Sequence, residues 1–167
     1  MKRLAFYGVL TGLAISVWMY VEYIFGFHAS QVGRYTGFMA LLVTVLGLFL
    51  GIRAYRNREK AGKINFWEVV FAGLQISLFA GLVTALFAFC YLKFINPGFA
   101  EFMVDVNRQY LLDHGASPAQ IQGNAQVTRA TYVPFPQALR TFGGFMAAGG
   151  LFSLILAGLL KSRRMTE

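Results

Sequence analysis

Four long apolar stretches alternate with shorter polar segments along the chain. They cover residues 4–25, 35–54, 66–95 and 138–160, and the few charged residues fall mainly near their ends. An α-helix of about 20 residues, rising about 1.5 Å per residue, crosses the hydrocarbon core of a bilayer. The alternation typical of barrel strands is missing from these stretches. We therefore predict an all-α fold, in which residues 1–167 form a single membrane domain built as an integral membrane antiparallel four-helix bundle.

Residues 97–137 form the longest segment outside these stretches. Apolar residues recur there every three or four positions, and "SPAQ" at residues 117–120 has the pattern of a helix start with Ser as cap. We expect a first helix that begins at Pro97 and ends near Gly115, and a second from Pro118 to about Arg129. Pro134 and Pro136 are expected to break the chain before the fourth span. The apolar positions of the first helix are Phe99, Phe102, Met103, Val106 and Tyr110.

This pattern predicts an extramembrane amphipathic helical hairpin between helices 3 and 4. A continuous apolar stripe on one helix favours an interfacial position, in which the hairpin covers its own bundle. Two alternatives stay open: the hairpin caps the mouth of the bundle, or it holds a partner.

Composition supports a membrane location. Apolar residues make up 57% of the chain and charged residues only 13%, whereas soluble domains average about 25% charged residues. That leaves too little polar surface to cover a globule of this size, so lipid must cover the rest. The net charge is +8, but the cations flank apolar stretches and do not line a soluble face, so nucleic acid is not an expected partner.

The distribution of Lys and Arg predicts the orientation. With the N-terminus in the cytoplasm, ten of the 15 cations lie on the cytoplasmic side and five on the other. Cytoplasmic loops of membrane proteins carry such an excess of Lys and Arg. The apolar stretch of the first span is too long for a signal peptide. We expect a multi-pass protein of the bacterial inner membrane, with the first span retained and both termini in the cytoplasm.

The strongest concentration of charge lies between the second and third spans, in "RAYRNREKAGK" at residues 53–63. Near a membrane surface each such cation attracts anionic headgroups by about 1 kcal/mol. Anionic lipid is therefore the default partner of this turn. Asn65 and Glu68 have the spacing of a capping box that starts the third helix. The candidate headgroup contacts are Arg53, Arg56, Arg58, Lys60 and Lys63.

Small residues recur at spacings of three and four in all four spans. Lipid tails are as apolar as Leu, so helices associate in membranes through close backbone approach, which small residues permit. A homodimer face or a pore lining stays open as an alternative for "FGGFMAAGG" in the fourth span. The glycines predicted to pack helix against helix are Gly8, Gly12, Gly37, Gly47, Gly51, Gly73, Gly81, Gly143 and Gly150.

Three charged residues are expected near the outer boundary of the membrane, namely Glu22, Lys93 and Arg140. A charge within a span is a functional-site hypothesis. At a shallow depth, however, Lys and Arg side chains reach the interface and a carboxylate pairs with one of them. His28 and His114 are isolated and show no metal-ligand spacing. We predict no catalytic residue, no cofactor site and no metal site.

The segment "GIRAYRNREKAGKINFWEVVFAG" resembles a family of bacterial membrane proteins known as domain of unknown function 4199, common in Bacteroidota. Gly51, Tyr55, Arg56, Gly62, Ile64, Phe66 and Gly73 fit the G-I-x-x-Y-R…G-x-I-x-F…G pattern of that family. The resemblance extends over essentially the whole chain. It implies a four-helix protein of the inner membrane, and it brings no activity, substrate or catalytic residue.

These observations favour a non-enzymatic accessory or scaffold subunit that binds a membrane partner or a second copy of itself. The alternative is a small four-helix transporter in which Glu22 is the coupling carboxylate. In known four-helix carriers that carboxylate lies deep in the first helix, whereas Glu22 lies about a turn from the end of its span.

Overall fold

The computed structural model describes residues 2–27 and 33–160, with side chains from residue 38 onward in the second range. Throughout these ranges the regular structure is helical, which confirms the all-α prediction for the described chain. Its helices are α1 (Lys2–Ile24), α2 (Gly33–Glu59), α3 (Phe66–Cys90), α4 (Phe99–Asp113), α5 (Pro118–Thr131) and α6 (Pro134–Leu160), and α3 continues into a π-helical segment, Tyr91–Ile95.

Four of these helical segments are long and apolar enough to cross a membrane: Lys2–Ile24, Phe38–Glu59, Phe66–Ile95 and Pro134–Leu160. They correspond to the four stretches predicted from the sequence. The second extends five residues past its predicted end at residue 54, because Arg and Glu are good helix formers and continue the helix to Glu59.

Two predictions about proline were wrong. Pro134 and Pro136 do not break the chain before the fourth span but lie in the first turn of α6, where the N–H groups have no partner within the helix and proline removes no hydrogen bond. Pro97 precedes α4. It lies in a turn closed by a hydrogen bond from the Phe99 N–H to the Asn96 carbonyl, and Gly98 caps the helix.

The described chain divides into two compact units. The four-helix unit comprises the residues up to Thr84 and those from Phe142 onward, and the hairpin unit comprises Ala85–Thr141. The first contains α1, α2 and most of α3 and α6. The second contains the end of α3, the π segment, α4, α5 and the start of α6.

Glycines set the distances between helices in the four-helix unit. A Cβ at Gly8 would lie 2.6 Å from the carbonyl oxygen of Ile76, and one at Gly12 would lie 2.8 Å from that of Ala80. Real Cβ atoms do not approach other atoms so closely. The backbones of α1 and α3 are therefore in direct contact, and the pairing order shows that the two helices run parallel.

The α3–α6 contact is reciprocal. A side chain at Gly73 would collide with Ser153, and one at Gly149 would collide with Ser77. The two helices are antiparallel at this point, because the later residue on α3 meets the earlier residue on α6. Each serine donates its hydroxyl proton to the carbonyl oxygen four residues earlier on its own helix, which belongs to the glycine that contacts the other serine.

Two glycines contribute less to packing than their spacing predicts. Within the described chain no neighbouring atom lies within 4 Å of a Cβ placed at Gly143, and Gly150 meets only the flexible end of Leu74 at 3.7 Å. The buried glycine of α6 is Gly149, one residue away from the predicted register. Gly37 falls outside the residues whose side-chain surroundings are described.

One apolar cluster joins both ends of the described chain to the turn between α2 and α3. Leu4 from the start of α1, Ile64 from the turn and Leu160 from the end of α6 are all buried in it. Leu48, Ile52, Val69, Val70, Ala72, Ile76, Leu156 and Ala157 complete the cluster. The first residues of α1, the last residues of α6 and the α2–α3 turn therefore lie at the same end of the four-helix unit.

Gly149→Ala should destabilise the protein by about 1–3 kcal/mol, because the new methyl group overlaps Ser77 and forces α3 and α6 apart. Gly143→Ala on the same helix should instead be neutral or stabilise by up to about 1 kcal/mol, because it adds a better helix former in open space. Thermal unfolding of both variants in one detergent measures the difference. Equal shifts for the two would contradict the packing register of α6.

Candidate functional site

The last turns of α2 and the start of its connection to α3 together hold five cations, and this segment, residues 53–63, is called here the basic turn. It reverses direction through two residues with positive φ, Ala61 at 47° and Gly62 at 81°. The Gly62 N–H donates to the Arg56 carbonyl at 2.9 Å, and the Lys63 N–H donates to the Lys60 carbonyl at 2.8 Å. Glycine tolerates this left-handed conformation, so Gly62 is the residue that permits the turn.

The start of α3 confirms the predicted capping box. The Glu68 N–H donates to the side-chain oxygen of Asn65 at 2.9 Å, and the Asn65 N–H donates to a carboxylate oxygen of Glu68 at 3.0 Å. The Lys60 ammonium also donates to that carboxylate, at 2.5 Å. Lys60 thereby fastens the end of the basic turn to the first turn of α3, and its hydrogen bond to Glu68 raises the pKa of Lys60 above the ordinary value.

The five cations differ in what they contact. Lys60 pairs with Glu68, and Arg56 donates to the carbonyl oxygen of Leu160, the last described residue of α6, at 3.4 Å. Arg53, Arg58 and Lys63 are exposed. Two of the five predicted headgroup contacts are thus engaged within the protein, and three point into the surroundings.

The basic turn is also tied to the start of the chain. The guanidinium of Arg3 on α1 lies 3.6 Å from a carboxylate oxygen of Glu59, the last residue of α2. Together with the Arg56–Leu160 hydrogen bond, this pair joins α1, α2 and α6 around the turn.

The three charged residues predicted to lie together, Glu22, Lys93 and Arg140, belong to different units. Glu22 is half-buried on α1 in the four-helix unit, whereas Lys93 and Arg140 belong to the hairpin unit. The Lys93 ammonium lies over the rings of Phe89 and Phe94, at 5.3 and 5.4 Å from their centres. Arg140 donates to the carbonyl oxygen of Thr131 at 3.2 Å. Aromatic faces and a carbonyl oxygen satisfy these two cations, and a functional role for Glu22 stays a prediction.

The π segment at the end of α3 was not predicted from the sequence. Its Tyr91 and Leu92 are buried, and the Tyr91 hydroxyl accepts a hydrogen bond from the side-chain amide of Asn96 at 3.0 Å. The Asn96 N–H also donates to the Tyr91 carbonyl, five residues back, which closes the π turn. An apolar run gives no signal for such a change in helical pitch.

The hairpin of α4 and α5 has well-defined ends. The Gly115 N–H donates to the Leu112 carbonyl and the Ala116 N–H to the Leu111 carbonyl, with Gly115 at φ 71°. This arrangement is a Schellman motif, and it ends α4 where the sequence predicted. Ser117 and Gln120 form the predicted capping box at the start of α5.

Polar contacts join α4 to α5. The Arg129 guanidinium donates two hydrogen bonds to the Glu101 carboxylate, at 2.7 and 2.9 Å. The Asn107 amide donates to the Thr128 hydroxyl at 3.1 Å, and that hydroxyl donates to the side-chain oxygen of Asn124. The hairpin is therefore a preformed element with its own internal contacts.

The predicted apolar stripe of α4 is not the face that α4 uses against α5. Its buried residue is Val104, which lies on the same face as Glu101 and Asn107. In the predicted stripe, Phe99 makes edge contacts with Tyr91 and Tyr132, whereas Val106 and Tyr110 remain 41% and 49% exposed. The His114 ring packs against Tyr110 with 4.1 Å between ring centres. His28 lies outside the described residues.

The chain was also compared with known protein families. Residues 6–162 match the family described as "Protein of unknown function (DUF4199)". The chain belongs to this family. No curated protein and no solved structure matches it.

The Glu101–Arg129 pair should make the stability of the α4–α5 hairpin depend on pH. The two hydrogen bonds from Arg129 lower the pKa of Glu101 below its ordinary value of 4.5. A carboxyl group with a depressed pKa in the folded state contributes stability above its ordinary pKa and loses it as the pH falls through the folded value. We expect protection of the α5 amides from hydrogen exchange, corrected for intrinsic rates, to be constant from neutral pH to about pH 5 and to fall below that.

Glu101→Gln and Arg129→Gln should each lower this protection at neutral pH and flatten its acid dependence. A wild type and a Glu101→Gln variant that lose protection in parallel would show that another group controls the transition.

Proposed function

We propose that the protein is a multi-pass protein of the bacterial inner membrane, with both termini and the basic turn in the cytoplasm. We further propose that it acts there as a non-enzymatic accessory or scaffold subunit that binds another membrane protein or a second copy of itself. The observation that carries the first part is the set of outward-facing apolar side chains on its four long helices.

These side chains cover the outer faces of the helices in the four-helix unit. In water, exposed apolar surface of this extent would be an aggregation liability, whereas acyl chains cover it without cost. Examples are Phe6, Leu10, Leu13 and Val17 on α1, Leu42, Leu46 and Leu50 on α2, Phe71 and Leu82 on α3, and Leu151, Ile155 and Leu159 on α6.

The orientation is supported by the contacts at one end of the four-helix unit. The Arg3–Glu59 pair and the Arg56–Leu160 hydrogen bond bring the start of α1, the end of α6 and the basic turn together. Seven of the ten cations counted on the N-terminal side in the sequence are described by the structure, and they belong to this end of the unit. An excess of Lys and Arg marks the cytoplasmic side of a membrane protein.

Cysteine labelling in intact cells tests this orientation. In a Cys90→Ala background, Lys63→Cys should resist a membrane-impermeant maleimide until the membrane is permeabilised, whereas Gln122→Cys on α5 should react at once. Both positions are exposed in the structure, so accessibility to the reagent reports the side of the membrane. Immediate labelling at residue 63 would reverse the orientation, and equal labelling in a membrane-free soluble fraction would refute membrane insertion.

The scaffold role is supported by the interior of the four-helix unit. Ile15, Leu48, Ile52 and Ile76 fill it and are at most 2% exposed. Buried hydroxyl groups donate to the carbonyl four residues back, as Ser16 does to Gly12 and Thr84 does to Ala80. An interior that is filled by apolar side chains, and in which these hydroxyl groups are paired within their own helices, suits a structural bundle better than a transporter that would pass a substrate and use Glu22 as coupling carboxylate.

The hairpin unit supplies the surface for a partner. Its helices are fixed by the Glu101–Arg129 pair and by caps at their ends, so binding would order few further residues. Val106 and Tyr110 on α4 and Val127 on α5 are nevertheless exposed. Exposed apolar side chains on a rigid element are typical of interaction sites.

Photo-crosslinking in native membranes tests the partner. A benzophenone amino acid in place of Val127 should give one discrete protein adduct, either with a second copy of the chain or with another membrane protein. The same amino acid in place of Gln122, an exposed polar position on α5, should give little or none. If residue 127 formed adducts only with lipid, this surface would lie on the membrane, and the result would contradict the scaffold proposal.

A further inference from the structure

The outer face of α2 changes from apolar to polar at its cytoplasmic end. Exposed apolar side chains follow one another at helical spacing, namely Leu42, Leu46 and Leu50, each about half exposed. The next two residues in the same row are Arg53 and Asn57, and both are exposed. Spacings of three and four residues keep all five on one face of a helix. A leucine stripe thus ends in a cation followed by an amide.

Arg53 and Asn57 both carry side-chain N–H groups that can donate hydrogen bonds to a ligand outside the protein. Within the described chain no hydrogen bond or ion pair engages Arg53, and Asn57 is contacted at its side-chain oxygen by the Nε of Arg56 at 3.2 Å. That contact fixes the amide so that its NH₂ group, a donor, remains available. The guanidinium and the amide therefore present donors side by side at the top of the stripe.

The height of Arg53 along α2 fits a lipid phosphate. Arg53 precedes the end of α2 at Glu59 by six residues, about 9 Å along the helix axis. The headgroup region adds about 5–8 Å on each side of the hydrocarbon core. When Glu59 lies at the outer edge of the headgroups, the backbone of Arg53 lies at the base of the headgroup layer, and its long side chain reaches up to the phosphates within that layer.

The nearby carboxylates favour a headgroup without an amine. Glu59 pairs with Arg3, and Glu68 pairs with Lys60. An ethanolamine headgroup would bring its ammonium group close to the Arg53 guanidinium while both acids are already engaged. A headgroup whose net charge is negative is attracted by Arg53 and places no second positive charge beside it.

We propose that Arg53 and Asn57 bind the phosphate of an anionic glycerophospholipid such as phosphatidylglycerol, whose acyl chains lie along Leu42, Leu46 and Leu50. This site rests on the proposed membrane insertion. Of the five headgroup contacts predicted from the sequence it keeps Arg53, and it adds Asn57, which was not among them. Lys60 and Arg56 hold the turn together and orient Asn57. Arg58 is five residues from Arg53 and so lies about 140° away around the helix, off the leucine stripe.

Native mass spectrometry of the full-length protein, released from nanodiscs of equal phosphatidylglycerol and phosphatidylethanolamine, tests the site. The wild type should retain phosphatidylglycerol in excess, and Arg53→Gln should lower its occupancy about fivefold, as expected for loss of one cation at the membrane surface. Asn57→Leu should lower occupancy in the same direction. Arg58→Gln removes the same charge from the same helix and should leave occupancy nearly unchanged.

Equal losses for Arg53→Gln and Arg58→Gln would show general electrostatic attraction and overturn the site. So would a wild type that retains both lipids equally. Extraction of the membranes with carbonate separates this failure from failure of the proposed function. A protein that resists extraction but shows no lipid preference keeps its membrane assignment and loses the site, whereas a protein released by carbonate loses both. Matching thermal unfolding of the variants in detergent verifies that each is folded.

Discussion

Direct backbone contact between helices is the constraint on which the four-helix unit depends. Gly8 and Gly12 of α1 lie against carbonyl oxygens of α3. Gly73 on α3 and Gly149 on α6 each lie against a serine side chain of the other helix. In a bilayer the hydrophobic effect does not drive helices together, so close packing must supply the stability. The third span takes part in all of these contacts. Of the residues in its most apolar 18-residue stretch 56% are buried, against 22–33% in the other three spans.

This packing explains how the polar groups are arranged. Serine and threonine on the buried faces fold their hydroxyls back onto their own helices, so the close contacts leave those hydroxyls satisfied. Charged side chains collect at one end, where Arg3, Arg56 and Lys60 join α1, α2, α3 and α6 to the basic turn. That end of the unit is thus held by polar contacts, and the helices beyond it pack through glycine and serine.

The sequence allowed prediction of the parts that depend on local chemistry. The capping boxes at Asn65 and Ser117 and the αL end of α4 at Gly115 are set by residues three to five positions apart. The register of α6 depends on tertiary contacts and could not be predicted. Small residues at 143, 144 and 147–150 place a possible packing face on several sides of that helix, and only contact with Ser77 selects Gly149.

The same limit applies to the basic turn. All five of its cations look alike in the sequence, and the spacing between them does not reveal which ones face inward. For Arg53 the contact of Gly51 decides the direction. Gly51 packs against Ile76 and Tyr7, so its face of α2 is turned toward α1 and α3. Each residue turns an α-helix by about 100°, so Arg53 points about 200° away from Gly51. A contact that requires a glycine on the inside therefore places a guanidinium on the outside, at the end of the leucine stripe.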